Sequence, residues 1–194
     1  MWFLRSCLLA CASSALLSGV VSAQTSVHST VSTVPTFAAT TAAAGISINI
    51  GSGAVQSLGN VTDNTTNNFP TPVNITLTWD LHPSTGSVQV IGYFANASAA
   101  MTSGPVSIPS SWIKGRVMTA GVNSAPTTYT AFTQNATGGI GSPGGSLTLA
   151  SQPVLGYSKA GTLSFDLQLQ LDLTGRSISA GSYSGTLNIR AVTQ

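Results

Sequence analysis

Cysteine and charge are both scarce in this chain. Its 194 residues include only two cysteines, Cys7 and Cys11, and charged residues make up 5% of the sequence. Beyond Cys11 no disulfide can form within the chain, so its fold must depend on an apolar core. Glutamate is absent and Lys and Arg are few. The chain therefore lacks the residues that form helices most readily.

The few charges show no grouping along the sequence. Beyond the first residues, the basic side chains are Lys114, Arg116, Lys159, Arg176 and Arg190, and the acids are Asp63, Asp80, Asp166 and Asp172. This scatter predicts no basic patch for the phosphates of a nucleic acid. It also predicts no basic amphipathic helix that would lie on a membrane surface.

The N-terminus has the pattern of a secretory signal peptide. Arg5 precedes an apolar stretch over residues 6–21, and small residues follow up to Ala23. We predict a signal peptide over residues 1–23, cleaved after Ala23, and a mature protein that is secreted, periplasmic or at the cell surface, without membrane contact. The alternatives are an uncleaved membrane anchor, or a lipoprotein in which Cys11 is acylated after cleavage.

Alternation of apolar and polar residues dominates the rest of the chain. It is clear at residues 46–50, 73–81 and 165–173, and no window of a dozen residues has a helical period. We predict an all-β fold, a two-layer antiparallel sandwich, as a single domain over residues 45–194. Residues 24–44 are rich in Ser, Thr and Ala, which predicts a mobile N-terminal arm or a loosely held first strand.

Further strands are predicted with less regular patterns. Residues 87–94 follow the strand at 73–81 after a short turn, which is typical of a hairpin. Residues 63–68 read as a polar loop. Shorter strands are predicted at 115–120, 127–133, 146–150 and 153–157, and a last strand has Tyr183, Leu187 and Ile189 on one face.

Two motifs of known chemistry occur without their usual context. Residues 139–144 fit G-x-G-x-x-G, but no helix or later acid follows, so we interpret them as a glycine-rich loop. Residues 111–114 fit S-x-x-K, but the S-D-N and K-T-G elements of penicillin-binding enzymes are absent. Neither motif predicts a site.

The acids and histidines do not form a recognisable catalytic or metal set. Asp166 and Asp172 share a strand face but lie about 20 Å apart, too far for a glycosidase pair, so a solvated face is expected. Asp80 and His82 fall on one strand face, and a small hydrolase would need a hydroxyl nucleophile beside them. One carboxylate in the loop at 63–68 makes a weak calcium site. We predict no catalytic residue, no metal and no cofactor.

Trp112 and Tyr129 are the aromatic residues most suited to a ligand surface. Trp79 and Phe165 fall on inward strand faces and are expected in the core. Trp112 and Tyr129 lie in the irregular middle of the chain. They are the two candidate ligand-contacting residues, for a glycan or another cell-surface ligand.

The C-terminal residues 178–189, Ile-Ser-Ala-Gly-Ser-Tyr-Ser-Gly-Thr-Leu-Asn-Ile, resemble the ending AGxYxGxLxI of exported bacterial proteins. The spore coat protein U family and related pilus-type subunits end in this way. The resemblance implies an immunoglobulin-like sandwich that is exported to the periplasm or surface. It also implies subunits that associate by strand addition, with the arm at residues 24–44 as a possible donor.

The sequence therefore favours a secreted, noncatalytic structural or surface protein, such as a self-assembling coat or pilus-type subunit. An extracellular glycan- or ligand-binding module is the alternative. An enzyme is not predicted.

Overall fold

The structure is a computed structural model, which describes residues 27–28, 33–41, 45–81, 86–136, 140–154 and 159–194. The predicted signal peptide lies outside these residues. The strands are β1 (Val27–His28), β2 (Thr33–Thr41), β3 (Ile46–Ile50), β4 (Val61–Thr62), β5 (Thr66–Asn68), β6 (Val73–Asp80), β7 (Gly86–Phe94), β8 (Met101–Ser103), β9 (Val106–Ile108), β10 (Ile113–Val117), β11 (Thr130–Ala131), β12 (Ser146–Val154), β13 (Ala160–Asp172) and β14 (Tyr183–Thr193). One turn of 3₁₀-helix, Ser110–Trp112, precedes β10. Nowhere in the described ranges does a helix have the length and apolar character that a membrane crossing needs.

The strands form two large sheets. The first sheet has the order β11-β10-β13-β6-β3, and β5 also pairs with β13. The second sheet has the order β12-β7-β14-β8-β9, and β2 also pairs with β14. The predicted all-β, two-sheet antiparallel sandwich is confirmed. One pairing was not anticipated, because β2 runs parallel to β14.

The predicted alternation places the core between the sheets. From Phe165 to Leu171 the inward side chains of β13 are at most 1% exposed, and those of β6 are nearly as well buried. Each large apolar side chain buried in this way contributes about 1.5–3 kcal/mol. The innermost residues of these two strands are Phe165, Leu167, Leu169, Leu171, Val73, Ile75, Leu77 and Trp79.

The predicted hairpin between residues 73–81 and 87–94 is wrong. β6 pairs with β3 and β13 in the first sheet, whereas β7 pairs with β12 and β14 in the second. Alternation identifies a strand and its buried face, but it does not identify the neighbouring strand. β6 and β7 therefore lie in different layers, and residues 82–85, which come between them in the sequence, lie outside the described residues.

Other strand boundaries also differ from the predictions. The loop predicted at 63–68 ends in β5, which pairs with β13. The strand predicted at 146–150 and the start of the one predicted at 153–157 form the single strand β12, which has a register shift between Thr148 and Ala150. Residues 155–157 lie outside the described residues. The strands predicted at 115–120 and 127–133 are observed as β10 and the two-residue β11.

Phe132 fills space that two glycines leave between the sheets. Its side chain is fully buried and packs edge-on against Phe94, with the ring centroids 5.3 Å apart. A Cβ atom at Gly92 of the second sheet would lie 3.2 Å from the Phe132 ring, and so would a Cβ atom at Gly115 of the first sheet. One ring therefore contacts the backbone of both layers.

Tyr183 fixes the corner between β13 and β14. Its ring is buried, and its hydroxyl donates a hydrogen bond to the Ser179 carbonyl oxygen over 3.0 Å. Burial raises the pKa of the Tyr183 hydroxyl. A buried tyrosine near the start of a late strand, bonded to backbone a few residues upstream, is typical of immunoglobulin-type sandwiches.

Candidate functional site

Two features of the sandwich are candidates for function: the N-terminal strand β2 and the surface along β10. β2 begins the sandwich in chain order and pairs with β14, the last strand. Its register runs from Thr33 opposite Tyr183 to Thr41 opposite Ala191. The pairing covers the entire strand, so β2 completes this edge of the second sheet.

The opposite edge of β2 makes fewer contacts. The Phe37 amide donates to the Ala54 carbonyl oxygen over 3.2 Å, and the Gln56 amide donates to the Pro35 carbonyl oxygen over 3.4 Å. The side chains of Pro35 and Phe37 are buried, and Phe37 belongs to the main core. β2 is therefore held by β14, by its inward side chains and by a short bridge to residues 54–56.

The second feature is a row of side chains along β10. Trp112, Lys114 and Arg116 alternate with buried positions and thus follow one another on the same side of the chain. Lys114 lies opposite Gln170 of β13, and Arg116 lies opposite Gln168. Lys114 and Arg116 are two strand positions apart, which corresponds to about 7 Å. Trp112 precedes β10 as the last residue of the 3₁₀ turn.

An arginine lies over each of the two predicted ligand-contacting rings. The Arg116 guanidinium carbon is 4.7 Å from the centroid of the Tyr129 ring, and that of Arg176 is 5.0 Å from the centroid of Trp112. Both rings are half-buried. One face of each ring is therefore occupied, which weakens the expectation that sugars stack on them as bare platforms.

Lys114 is paired with an acid on this surface. Its ammonium nitrogen lies 2.6 Å from a carboxylate oxygen of Asp172. The Lys114 hydrogen bond, followed by bonds from the hydroxyl and amide of Thr174, holds the pKa of Asp172 well below its usual range. Arg176 also donates to the Asp172 backbone carbonyl oxygen over 3.2 Å.

Basic residues that are far apart in the sequence lie beside the two predicted rings in this part of the molecule. Lys114, Arg116 and Arg176 gather around β10 and the turn after β13, beside both predicted rings. The alternating positions of Lys114 and Arg116 were readable from the sequence. The approach of Arg176 was not, because it depends on how the turn after β13 folds back.

A cavity of about 300 Å³ opens at the far end of the same row. The Arg116 Nε atom is buried and has no hydrogen-bond partner among the described residues. The Met118 side chain beside it is 52% exposed. The cavity is lined by Arg116, Val117, Met118, Thr119, Ala120 and Thr127.

The face of β13 that was predicted to be solvated is partly buried. Gln168 and Gln170 are buried, and their amide nitrogens donate to the Phe69 carbonyl oxygen and to Asn68. Asp166 accepts a hydrogen bond from the Asn74 side chain over 2.9 Å. These amide and carboxylate groups bind one another across the strands and do not form a catalytic pair.

The remaining candidate residues are not brought together as a site. Asp80 ends β6 on an exposed position, and His82 lies outside the described residues. The Asp63 carboxylate is buried and accepts from the Ile178 amide, so it faces the protein rather than a cation. Ser111 is exposed and Lys114 is bound to Asp172. No group of three or more His, Cys, Asp or Glu that fits a metal ion occurs in the described part of the chain.

Residues 140–144 are the described part of the G-x-G-x-x-G match at 139–144. The Ser142 amide donates to the Ser146 hydroxyl, and the Ser146 hydroxyl donates to the Ser142 carbonyl oxygen. The segment leads into strand β12 and not into a helix. It is a turn, as predicted, and offers no helix N-terminus for a phosphate.

Comparison of the chain with protein-family models gives no match, and comparison with curated proteins gives none of significant similarity.

Proposed function

We propose that this chain is an exported, noncatalytic structural protein whose copies assemble by exchanging β2. The observation that carries the proposal is the pairing of β2 with β14 over its full length, from Thr33 to Thr41. The predicted signal peptide and the resemblance of residues 178–189 to exported coat and pilus-type subunits support it.

β2 has the properties of an exchangeable strand. It belongs to the N-terminal part of the chain, and residues 42–44, three alanines, connect it to β3. A β2 strand from a second copy would make the same backbone hydrogen bonds to β14 and place Phe37 at the same buried position in the core. Exchange of an identical element between copies replaces each contact by an equal one, so its net cost is small.

The opposite edge of the second sheet is poorly suited to strand addition. β12 lies at this edge, and its register with β7 shifts between Thr148 and Ala150. Pro153 on the same strand lacks an amide hydrogen. Bulges and prolines are devices that protect sheet edges from pairing with other chains. Assembly through the β2 position is therefore favoured over assembly through β12.

The first test is the mass of the protein in solution by light scattering. The chain from residue 24 is compared with a chain from residue 45, which lacks β2. We expect oligomers or fibres from the first chain and none from the second. If the chain from residue 24 remains a monomer at high concentration, the assembly proposal is wrong.

A disulfide tests which copy supplies β2. Thr36 and Thr186 are opposite one another in the register and both are exposed. Neighbouring strands lie about 4.8 Å apart, within the range of Cα separations that a disulfide spans. In the double variant Thr36→Cys/Thr186→Cys, exchange predicts covalent multimers on a non-reducing gel.

The control for this experiment is the chain with Thr36→Cys alone, which has no partner thiol on β14. Covalent monomers in the double variant, at concentrations where the unmodified chain is oligomeric, would show that assembly uses another surface.

A second candidate function is an extracellular ligand-binding module. It is favoured by the surface along β10, where Trp112, Tyr129 and three cations come together. Binding of glycans or other cell-surface ligands by the chain from residue 24 would be measured on an array. Loss of a positive signal in Trp112→Ala or Tyr129→Ala would assign it to this surface.

A further inference from the structure

We infer that the cavity beside Arg116 binds a carboxylate-bearing ligand. The inference rests on the second candidate function and is independent of strand exchange. It names the site, the contacting residues and the chemical group that is recognised.

Arg116 is held in place but has no anionic partner within the part of the chain that the structure describes. Its guanidinium lies over the Tyr129 ring, which restricts its motion, and its Nε atom is buried without an acceptor among the described residues. Since Nε is buried, a ligand in the cavity would bind the terminal nitrogens of the guanidinium. Two acceptor oxygens would bind this end of the fork through paired, charge-assisted hydrogen bonds.

The rest of the cavity suits the body of a small organic anion. The Thr119 hydroxyl accepts a hydrogen bond from the Asp166 amide over 3.0 Å, which leaves its own proton for another acceptor. Thr127 adds a second hydroxyl, and the Met118 side chain adds exposed apolar surface. The volume of about 300 Å³ lies at the lower end of the range for small-molecule sites.

The local charge favours a carboxylate over a phosphate. Lys114 is already matched by Asp172, so Arg116 is the cation at the cavity. A ligand with a single negative charge matches this one guanidinium, whereas a phosphate with nearly two charges would leave charge unmatched in the cavity.

The carboxylate has two possible sources, an acidic sugar or a simple organic acid. The probes are therefore glucuronate, acetate and glucose, each titrated into the ¹⁵N-labelled chain from residue 24. Glucuronate and acetate both carry the carboxylate, and glucose is the neutral counterpart of the sugar. We expect glucuronate to shift the amide signals of residues 116–120 and 127, with glucose giving no comparable shift.

Arg190 supplies a matched control. It lies on β14 in the second sheet, and its Nε atom is likewise buried without a partner among the described residues. It does not line the Arg116 cavity. Arg116→Met should raise the Kd for glucuronate tenfold or more, on the order of the loss of a charged hydrogen-bonding group, whereas Arg190→Met should leave it unchanged.

A second substitution keeps the test decisive if Arg116→Met does not fold. Arg116→Lys retains the charge but loses the fork, and we expect it to raise the Kd several-fold. Acetate shifts at the same amides would support recognition of the carboxylate alone, and glucuronate binding much tighter than acetate would support an acidic sugar. Equal binding of glucose and glucuronate, or no shift at these amides with any probe, would overturn the proposal.

Discussion

At the scale of the residue, Asp172 is a described side chain whose ionisation is coupled to the fold. Its carboxylate accepts from Lys114 and from the Thr174 amide, and its pKa is held well below the usual range. A carboxyl group with a pKa lowered by folding stabilises the protein above its unfolded-state pKa of about 3.9. That contribution is lost as the pH falls toward the folded-state pKa.

We therefore expect Asp172→Asn to lower the free energy of unfolding at pH 7 by about 1 kcal/mol, the size typical of partly exposed ion pairs. The difference from the unmodified protein should shrink below about pH 4, as Asp172 becomes protonated in the unfolded chain. Urea denaturation at pH 7, 4 and 2.5 measures it. A double-mutant cycle with Lys114→Met separates the pair from other effects, and a difference that stays constant across this pH range would contradict the argument.

The sequence predicted Trp112 and Tyr129 as rings outside the core. In the structure both are half-buried beside β10, and Trp112 packs against the main core. The sequence did not identify the arginines over them. Arg116 is within reach of Tyr129 only because β11 returns antiparallel beside β10, and that pairing covers two residues. So short a strand leaves no periodic pattern to read.

At the scale of the elements, the contact of Phe132 with Gly92 and Gly115 tests how tightly the two sheets are matched. A Cβ atom at Gly115 would lie 3.2 Å from side chains of Leu147, Leu167 and Phe132. We expect Gly115→Ala to lower the free energy of unfolding by about 1–3 kcal/mol, the usual cost of overpacking a core. Chemical denaturation measures the change.

Phe132→Leu provides the control, since the smaller side chain creates room at Gly115. Combined with Gly115→Ala, its effect should be less than the sum of the two single effects, because the variants share one contact. Additive effects would mean that the strain at Gly115 arises elsewhere.

Long strands were predictable at this scale, and their neighbours were not. β6, β13 and β14 each extend over several alternating pairs, and their buried faces follow directly from the sequence. The strands of two or three residues, such as β5 and β11, were missed or misplaced. The error at β6 and β7 arose because a short connection is compatible with a hairpin and with a crossing between layers.

At the scale of the whole molecule, β2 is expected to bind to the rest of the sandwich as a separate peptide. A peptide of residues 33–41 should associate with the chain from residue 45 and raise its melting temperature, because ligands that bind only the folded state stabilise it. The same peptide with Phe37→Asp should have no effect, since it would place a charge at the buried position that Phe37 occupies in the core. Equal effects of the two peptides would show that the peptide does not bind with residue 37 in the core.

The position of β2 has a consequence for the form of any assembly. Each copy has one β2 strand to give and one groove beside β14 to fill, so the valence of each copy is two. One-way exchange joins unlike surfaces, and such contacts produce unbranched polar filaments or closed rings. A filament would end in an empty groove at one tip and an unbound strand at the other, and growth at the two tips would differ in rate.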